Sequence, residues 1–194
     1  MNTLKAEKRS MDIKAKKLRR EGYVTGNVFG KEITGSIPVK MEKSAVERLL
    51  KTSGKGSQIM LDVDGQSMDV LIKEVDFNPL KGQVDEIDFQ ALVSNEKVHS
   101  VAMVVFHNHD KVVEGILEEH IHEIPFKAYP SALVEKVTID VGEMRIGDSV
   151  RIRDLDIAKD KDVELMIDPD TIVVSVTEPH NKVEETAEEE SAAE

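Results

Sequence analysis

The 194 residues include no cysteine and no tryptophan. The first absence excludes disulfides, thiol nucleophiles and thiolate metal sites together, so the expected compartment is a reducing cytoplasm. Aromatic residues make up only 4%, so a core has to be assembled from Val, Ile, Leu and Met, the mix that suits small β domains packed in thin layers. No apolar run approaches the roughly 18 residues of a membrane span. The basic N-terminal stretch is not followed by an apolar segment, and no secretory signal is expected. Catalytic signatures are missing as well: there is no GxSxG elbow, P-loop, dinucleotide fingerprint or HExxH. With 38 acidic residues, no two stand out as a general acid and base. The chain is therefore read as a non-enzyme, with no cofactor and no small-molecule substrate.

Charge is present in quantity and unevenly placed. The formal net charge is -12, yet residues 1–20 carry Lys5, Lys8, Arg9, Lys14, Lys16, Lys17, Arg19 and Arg20 against only Glu7 and Asp12. Those twenty residues sum to +6 and the remainder to -18. A chain polarised in this way can offer a positive face to an anionic polymer while its bulk repels the same polymer. If residues 12–21 form a turn or two of helix, Lys14, Lys17 and Arg20 recur at i, i+3 and i+6, and Lys16 and Arg19 cover the adjoining surface. Such a patch can reach several phosphates, with arginine as the better anchor because its planar fork matches two phosphate oxygens.

The hydrophobic pattern is that of a mainly β chain. Tyr23 to Gly30, punctuated by glycines, reads as a strand with bends. Ser44-Ala45-Val46-Glu47 fits a capping box, and Val46, Leu49 and Leu50 then share one helical face up to Ser53-Gly54. Ile59, Leu61 and Val63 alternate before Asp64-Gly65, and Met68, Val70 and Ile72 alternate after it, which predicts a hairpin. Val84, Ile87 and Phe89 give a further strand after the turn at Asn78-Pro79. The polar stretch Ser94–Lys97 marks a boundary near residue 93. Strand-like runs follow at Val101–Phe106, Ile116–Phe126, Val134–Val141, Val163–Ile167 and Ile172–Val176. Three units are expected: residues 1–93, residues 94–180, and an acidic tail over 181–194 whose glutamates, alanines, Ser and Thr leave too little apolar surface to form a core, so that it is expected to be disordered.

Four of the six histidines form two spaced pairs, His107 with His109 and His120 with His122. On a strand, i and i+2 share a face, so each pair could offer two imidazoles to one metal. No third ligand is anchored beside them, solvated polar positions on a sheet face or in a loop near Asp110 are the stronger reading, and no metal site is assigned.

The string Lys17-Leu18-Arg19-Arg20-Glu21-Gly22-Tyr23-Val24-Thr25-Gly26-Asn27-Val28-Phe29-Gly30 resembles the opening of the bacterial large-subunit ribosomal protein L-twenty-five family. The two-domain members of that family include the general stress protein Ctc. The resemblance runs on in order through Leu71–Val75, Pro79, Ile87-Asp88-Phe89, Val137–Val141, Ile146–Ser149 and Asp168–Thr171. It implies a six-stranded β-barrel that binds the loop E region of 5S rRNA in the large ribosomal subunit, followed by a second β-rich domain. Arg9, Arg19 and Arg20 match the family's basic RNA contacts and Asp88 its acidic one. Such a protein would read the wide minor groove, 2′-hydroxyls and phosphates of A-form RNA. An aspartate there is an acceptor for a 2′-OH or base amino group, or a brace for an arginine.

Three positions depart from the family's pattern. Phe29 stands where a tyrosine is usual, Asp76 where a glutamine is usual and Glu86 where a histidine is usual, with Asp85 adding an acid beside it. If these positions line the RNA face, together they weaken 5S rRNA binding by about 2 to 5 kcal/mol. The second reading that follows is a divergent, stress-linked paralogue whose RNA face has decayed and which acts as a protein-interaction module.

Overall fold

A computed structural model describes residues 2–112 and 115–178. The first half contains β1 (Thr3–Lys8), α1 (Ala15–Arg20), β2 (Tyr23–Phe29), β3 (Ser36–Glu42), α2 (Lys43–Leu50), β4 (Gln58–Val63), β5 (Gln66–Asn78) and β6 (Gln83–Ala91). Its six strands close into a barrel in the order β1-β3-β2-β6-β5-β4, as the resemblance implied. The parallel pairing of β1 with β4, Thr3 opposite Met60 through Ala6 opposite Val63, completes the closure. A closed sheet leaves no free edge to pair with another chain. The expected alternation places Ile59, Leu61, Val63, Val70 and Ile72 in the barrel core beside Val24, Val28, Val39, Met41, Ile87 and Phe89. Val46 and Leu49 of α2 join the same core. Between β4 and β5, Asp64 (φ 51°) and Gly65 (φ 89°) both take positive φ, the conformation a two-residue type I′ hairpin requires.

Two local expectations change. Ser44 is not an N-cap: α2 begins at Lys43, and the capping position, Glu42, makes no side-chain cap bond. Because β3 runs straight into the helix, its entry is held instead by the Lys43 N–H donating to the Gly22 carbonyl at 2.9 Å. The second difference is Gly26, whose backbone lies so near β6 that an added β-carbon would stand 2.0 Å from the Ile87 carbonyl oxygen. A glycine is required there by proximity, not by φ.

The second half contains β7 (Val98–His107), β8 (Ile116–Glu119), β9 (Glu123–Ala128), β10 (Lys136–Asp140), β11 (Ser149–Arg151), β12 (Val163–Leu165) and β13 (Ile172–Thr177). They form a four-stranded sheet, β10-β7-β9-β12, and a three-stranded sheet, β11-β13-β8. Ala102, Val104, Ile124, Phe126, Ile139, Ile152 and Val173 share one core drawn from both sheets and the turns between them. The apparent single run Ile116–Phe126 is two strands. It breaks at residues 120–122, where the chain leaves β13 of one sheet to join β7 of the other. The acidic tail lies outside the described residues, in which no helix is long and apolar enough to cross a membrane.

The two halves meet tightly around β7. Lys73 Nζ donates to the His99 carbonyl at 2.7 Å, Lys55 Nζ contacts Glu123 at 2.8 Å, and Gly56 sits where a β-carbon would be 2.1 Å from the Val101 carbonyl oxygen. Burial holds the Lys73 ammonium below the usual lysine range, and the nearby charge of Lys55 adds to the effect.

Candidate nucleic-acid interface

Six residues are too few for a helix to stand alone in water, and α1 persists because it is fastened to the barrel. Leu18 is its one buried side chain, and Gly22, at φ 91°, turns the chain directly from the helix into β2. Lys17, Arg19 and Arg20 occupy the last turn, where cations complement the helix dipole. Among the described residues, Lys14, Lys16 and Arg20 are exposed and form no ion pair, while Lys17 lies 3.9 Å from Glu21.

Helix α1 docks on an irregularity in β6. Asp76 pairs with Glu86 but Phe77 pairs with Val84, so Asp85 is an extra residue, a β-bulge that re-aims its own side chain and carbonyl. The Asp85 carbonyl accepts from Arg19 Nε at 3.0 Å and from the Thr25 hydroxyl at 3.5 Å. Its carboxylate accepts from Asn78 Nδ2 at 3.1 Å and Gln83 Nε2 at 2.9 Å. Those two amides, with weaker help from Arg19, hold the carboxyl below the usual aspartate range. A second bulge lies on β5, where Ile72 pairs with Phe89 and Glu74 with Asp88, leaving Lys73 as the extra residue that reaches β7.

Beside α1, the outer faces of β2, β6 and β5 carry Asn27, Glu86, Asp88, Glu74 and Asp76. Asp88 Oδ1 accepts the Asn27 backbone N–H at 2.9 Å and its side-chain amide at 3.3 Å. The carboxylate thus bridges β2 and β6 beside Gly26. Glu86 receives Asn27 Nδ2 at 3.4 Å and lies 3.6 Å from Arg19 Nη2. Arg19, Asp76, Glu86 and Asp88 are therefore brought together on one face, with the α1 cations at its border. Phe29, half-buried at the far end of β2, pairs with Gln90 of β6. Arg9 stands apart, after β1, donating through Nη2 to the Ile13 carbonyl at 3.1 Å, while its buried Nε has no partner among the described residues.

Sequence reasoning passed over Asn27 and Gln83 and saw Asp85 only as an added charge. One signal for the bulge was available: Val84 and Ile87 are three residues apart in a strand that otherwise alternates, and all of Val84, Ile87 and Phe89 face the core. The histidines do not pair as their spacing suggested. His109 Nε2 and His122 Nδ1 approach the two oxygens of Glu119 at 3.2 and 3.5 Å, and His120 Nε2 meets the Ser175 hydroxyl at 2.8 Å. Residues 120–122 lie between strands, so no strand face is shared. Among the described residues no three His, Asp or Glu side chains are placed to hold a metal ion.

A family model described as the Ribosomal L25p family matches residues 4–89, and one described as Ribosomal protein TL5, C-terminal domain, matches residues 97–180. The chain is also similar to curated proteins named large ribosomal subunit protein bL25. That of Bacillus velezensis is 30% identical over 194 residues, spanning 97% of this chain and 94% of the relative. That of Thermosipho africanus is 33% identical, spanning 91% of this chain and 85% of the relative.

Proposed function

We propose that this chain, which belongs to the ribosomal L25p family in its two-domain, Ctc-type form, is a structural protein of the large ribosomal subunit that binds 5S rRNA at the loop E region. Residues 1–93 form the RNA-binding domain in this reading, and residues 94–180 a second domain that extends the contact to neighbouring rRNA or protein. The observation that carries it is the α1 docking: a short cationic helix is held at the border of an open sheet face by the Arg19–Asp85 bond. Lys14, Lys17 and Arg20 then contact phosphates along one edge, and Arg9 does so from the end of β1. Asp88 Oδ1 is occupied by Asn27, which leaves Oδ2 as acceptor for a 2′-OH or a base amino group. Phe29 supplies a flat apolar surface at the far end of β2. Asp76 and Glu86 lie between these contacts and repel phosphate. The protein works where ribosomes do, in the cytoplasm, and no catalytic step is assigned to it.

The test is binding of the full chain to its own organism's 5S rRNA across a salt series. Log affinity should fall against log salt with a slope of about -3 to -4, since each neutralised phosphate contributes roughly 0.7 to 0.9. Arg20→Ala should weaken binding and flatten the slope by one such increment. The acidity of the face, with Glu74 opposite Asp88 and Asp76 opposite Glu86, favours the second reading, a protein-interaction paralogue. Absence of 5S binding in the native chain, with recovery in Glu86→His, would establish that reading and remove the first.

A further inference from the structure

The hairpin joining β5 to β6 ends in Pro79-Leu80-Lys81-Gly82, and Leu80 is 97% exposed. A leucine so fully in water at a hairpin tip stabilises nothing in the free protein. The tip is nevertheless tightly positioned. The Lys81 N–H donates to Asn78 Oδ1 at 3.3 Å, and Asn78 Nδ2 in turn donates to Asp85 Oδ2 at 3.1 Å. Gln83 Nε2 reaches Asp85 Oδ1 at 2.9 Å, and the Asp85 carbonyl receives Arg19 Nε at 3.0 Å. One chain of hydrogen bonds thus runs from the tip through the bulge to α1.

Between helix and tip lies a concavity of about 430 Å³ lined by Lys16, Arg19, Arg20, Lys81, Gln83 and Asp85. Four cations face one carboxylate, and both oxygens of that carboxylate already accept amide hydrogen bonds. The space is net positive and suits an anion of phosphate size. Lys81 has no acidic hydrogen-bond or ion-pair partner among the described residues.

From this we infer that the β5–β6 tip is a second RNA-contacting element: the concavity takes a backbone phosphate between Lys16, Arg20 and Lys81, and Leu80 packs on the adjoining ribose or base face. The inference rests on the 5S reading and extends it to residues outside the sheet face. RNA is favoured over a protein partner because the exposed leucine borders a cationic hollow, and an apolar side chain beside phosphate-binding lysines matches an RNA groove wall. A contact here also offsets the repulsion from Asp76 and Glu86, because the concavity lies on the α1 side of those acids.

The test measures 5S rRNA binding by the full chain, by Lys81→Ala, by Leu80→Ala and by Arg20→Ala, each over the same salt series. Lys81→Ala should weaken binding most at low salt and lower the magnitude of the slope by part of the roughly 0.7 to 0.9 that one phosphate contributes, because Lys16 and Arg20 still face it. Leu80→Ala should weaken binding about fivefold at every salt concentration with the slope unchanged, as loss of a partly buried apolar contact requires. Both side chains are exposed, so unchanged thermal unfolding is expected in each variant. Native affinity and slope in either variant, with Arg20→Ala still weakened, overturns the inference while leaving the 5S reading intact, and leaves Leu80 to a protein neighbour. Failure of the native chain to bind 5S rRNA overturns both.

Discussion

The Nε–H of Arg19 donates to the main-chain carbonyl of Asp85 at 3.0 Å, so an arginine that the family resemblance assigned to RNA is engaged first within the protein. Its Nη2, 3.6 Å from Glu86, is likewise turned toward the barrel. Arg19→Ala should lower stability by about 1 kcal/mol in urea denaturation and weaken RNA binding by loosening α1. The salt slope should fall by clearly less than the 0.7 to 0.9 of a lost phosphate. A loss of one full increment would show that Arg19 reaches the RNA directly.

Asp76 and Glu86 are cross-strand partners of like charge, an arrangement that costs a few tenths of a kcal/mol on a sheet. Glu86 is partly compensated by Arg19 and Asn27. Asp76, in contrast, has no hydrogen-bond or ion-pair partner among the described residues. Asp76→Gln should therefore raise both thermal stability and 5S affinity, the latter by about tenfold. Glu86→His should tighten RNA binding to a similar degree with little gain in stability. Equal stabilisation by both would mean that the Arg19–Glu86 contact contributes nothing.

The acid limb of the stability profile should carry two named carboxylates. Asp85 is held below the usual range by Asn78 and Gln83, and Asp140 by the Asn108 amide and the Gly142 N–H. A carboxyl whose folded pKa is depressed contributes stability that is complete above its unfolded value, about 3.9. That contribution is lost as pH falls through the folded value. Melting temperature should thus hold from pH 7 to about 5 as far as these groups are concerned, and fall below about pH 4. Asp85→Asn and Asp140→Asn should each flatten the fall. A limb as steep as that of the native chain in both variants would place the acid sensitivity elsewhere.

Gly26→Ala sets a β-carbon against the Ile87 carbonyl at 2.0 Å and should cost about 3 kcal/mol or more, by forcing β2 away from β6. Gly54→Ala, where nothing lies within 4 Å, should change stability by no more than about 0.5 kcal/mol. Equal effects of the two in chemical denaturation would contradict the close β2–β6 approach.

What could be read from the sequence was periodic or local. Ile59, Leu61 and Val63, the Asp64-Gly65 turn and the Val46–Leu49 face of α2 all announced themselves by spacing, because each depends on near neighbours in the chain. β1 did not, since Leu4 and Ala6 alternate within a segment whose lysines and arginine dominate its composition. Its strand character comes from pairing with β4, more than fifty residues away. The division at residues 120–122 was hidden because no Gly, Asn or Asp marks a turn between Ile116 and Phe126 while the pairing partner changes. At the candidate interface, the cations were evident from composition, but the docking of Arg19 on Asp85 depends on a bulge whose sole trace is the three-residue step from Val84 to Ile87.

β5 is thirteen residues long and bears one load near its middle and another at its C-terminal end. At one bulge Lys73 hooks the His99 carbonyl of the neighbouring half, and further along the strand Asp76 and Asn78 shape the proposed RNA face and its tip. Alternation along a strand means that a slip of one residue reverses every side chain. A register change that moved Lys73 from its hook would also turn Asp76 inward. The strand therefore works as a single ruler against which both the stance of the second half and the layout of the binding face are gauged, and a one-residue insertion or deletion in it would miscalibrate the two together.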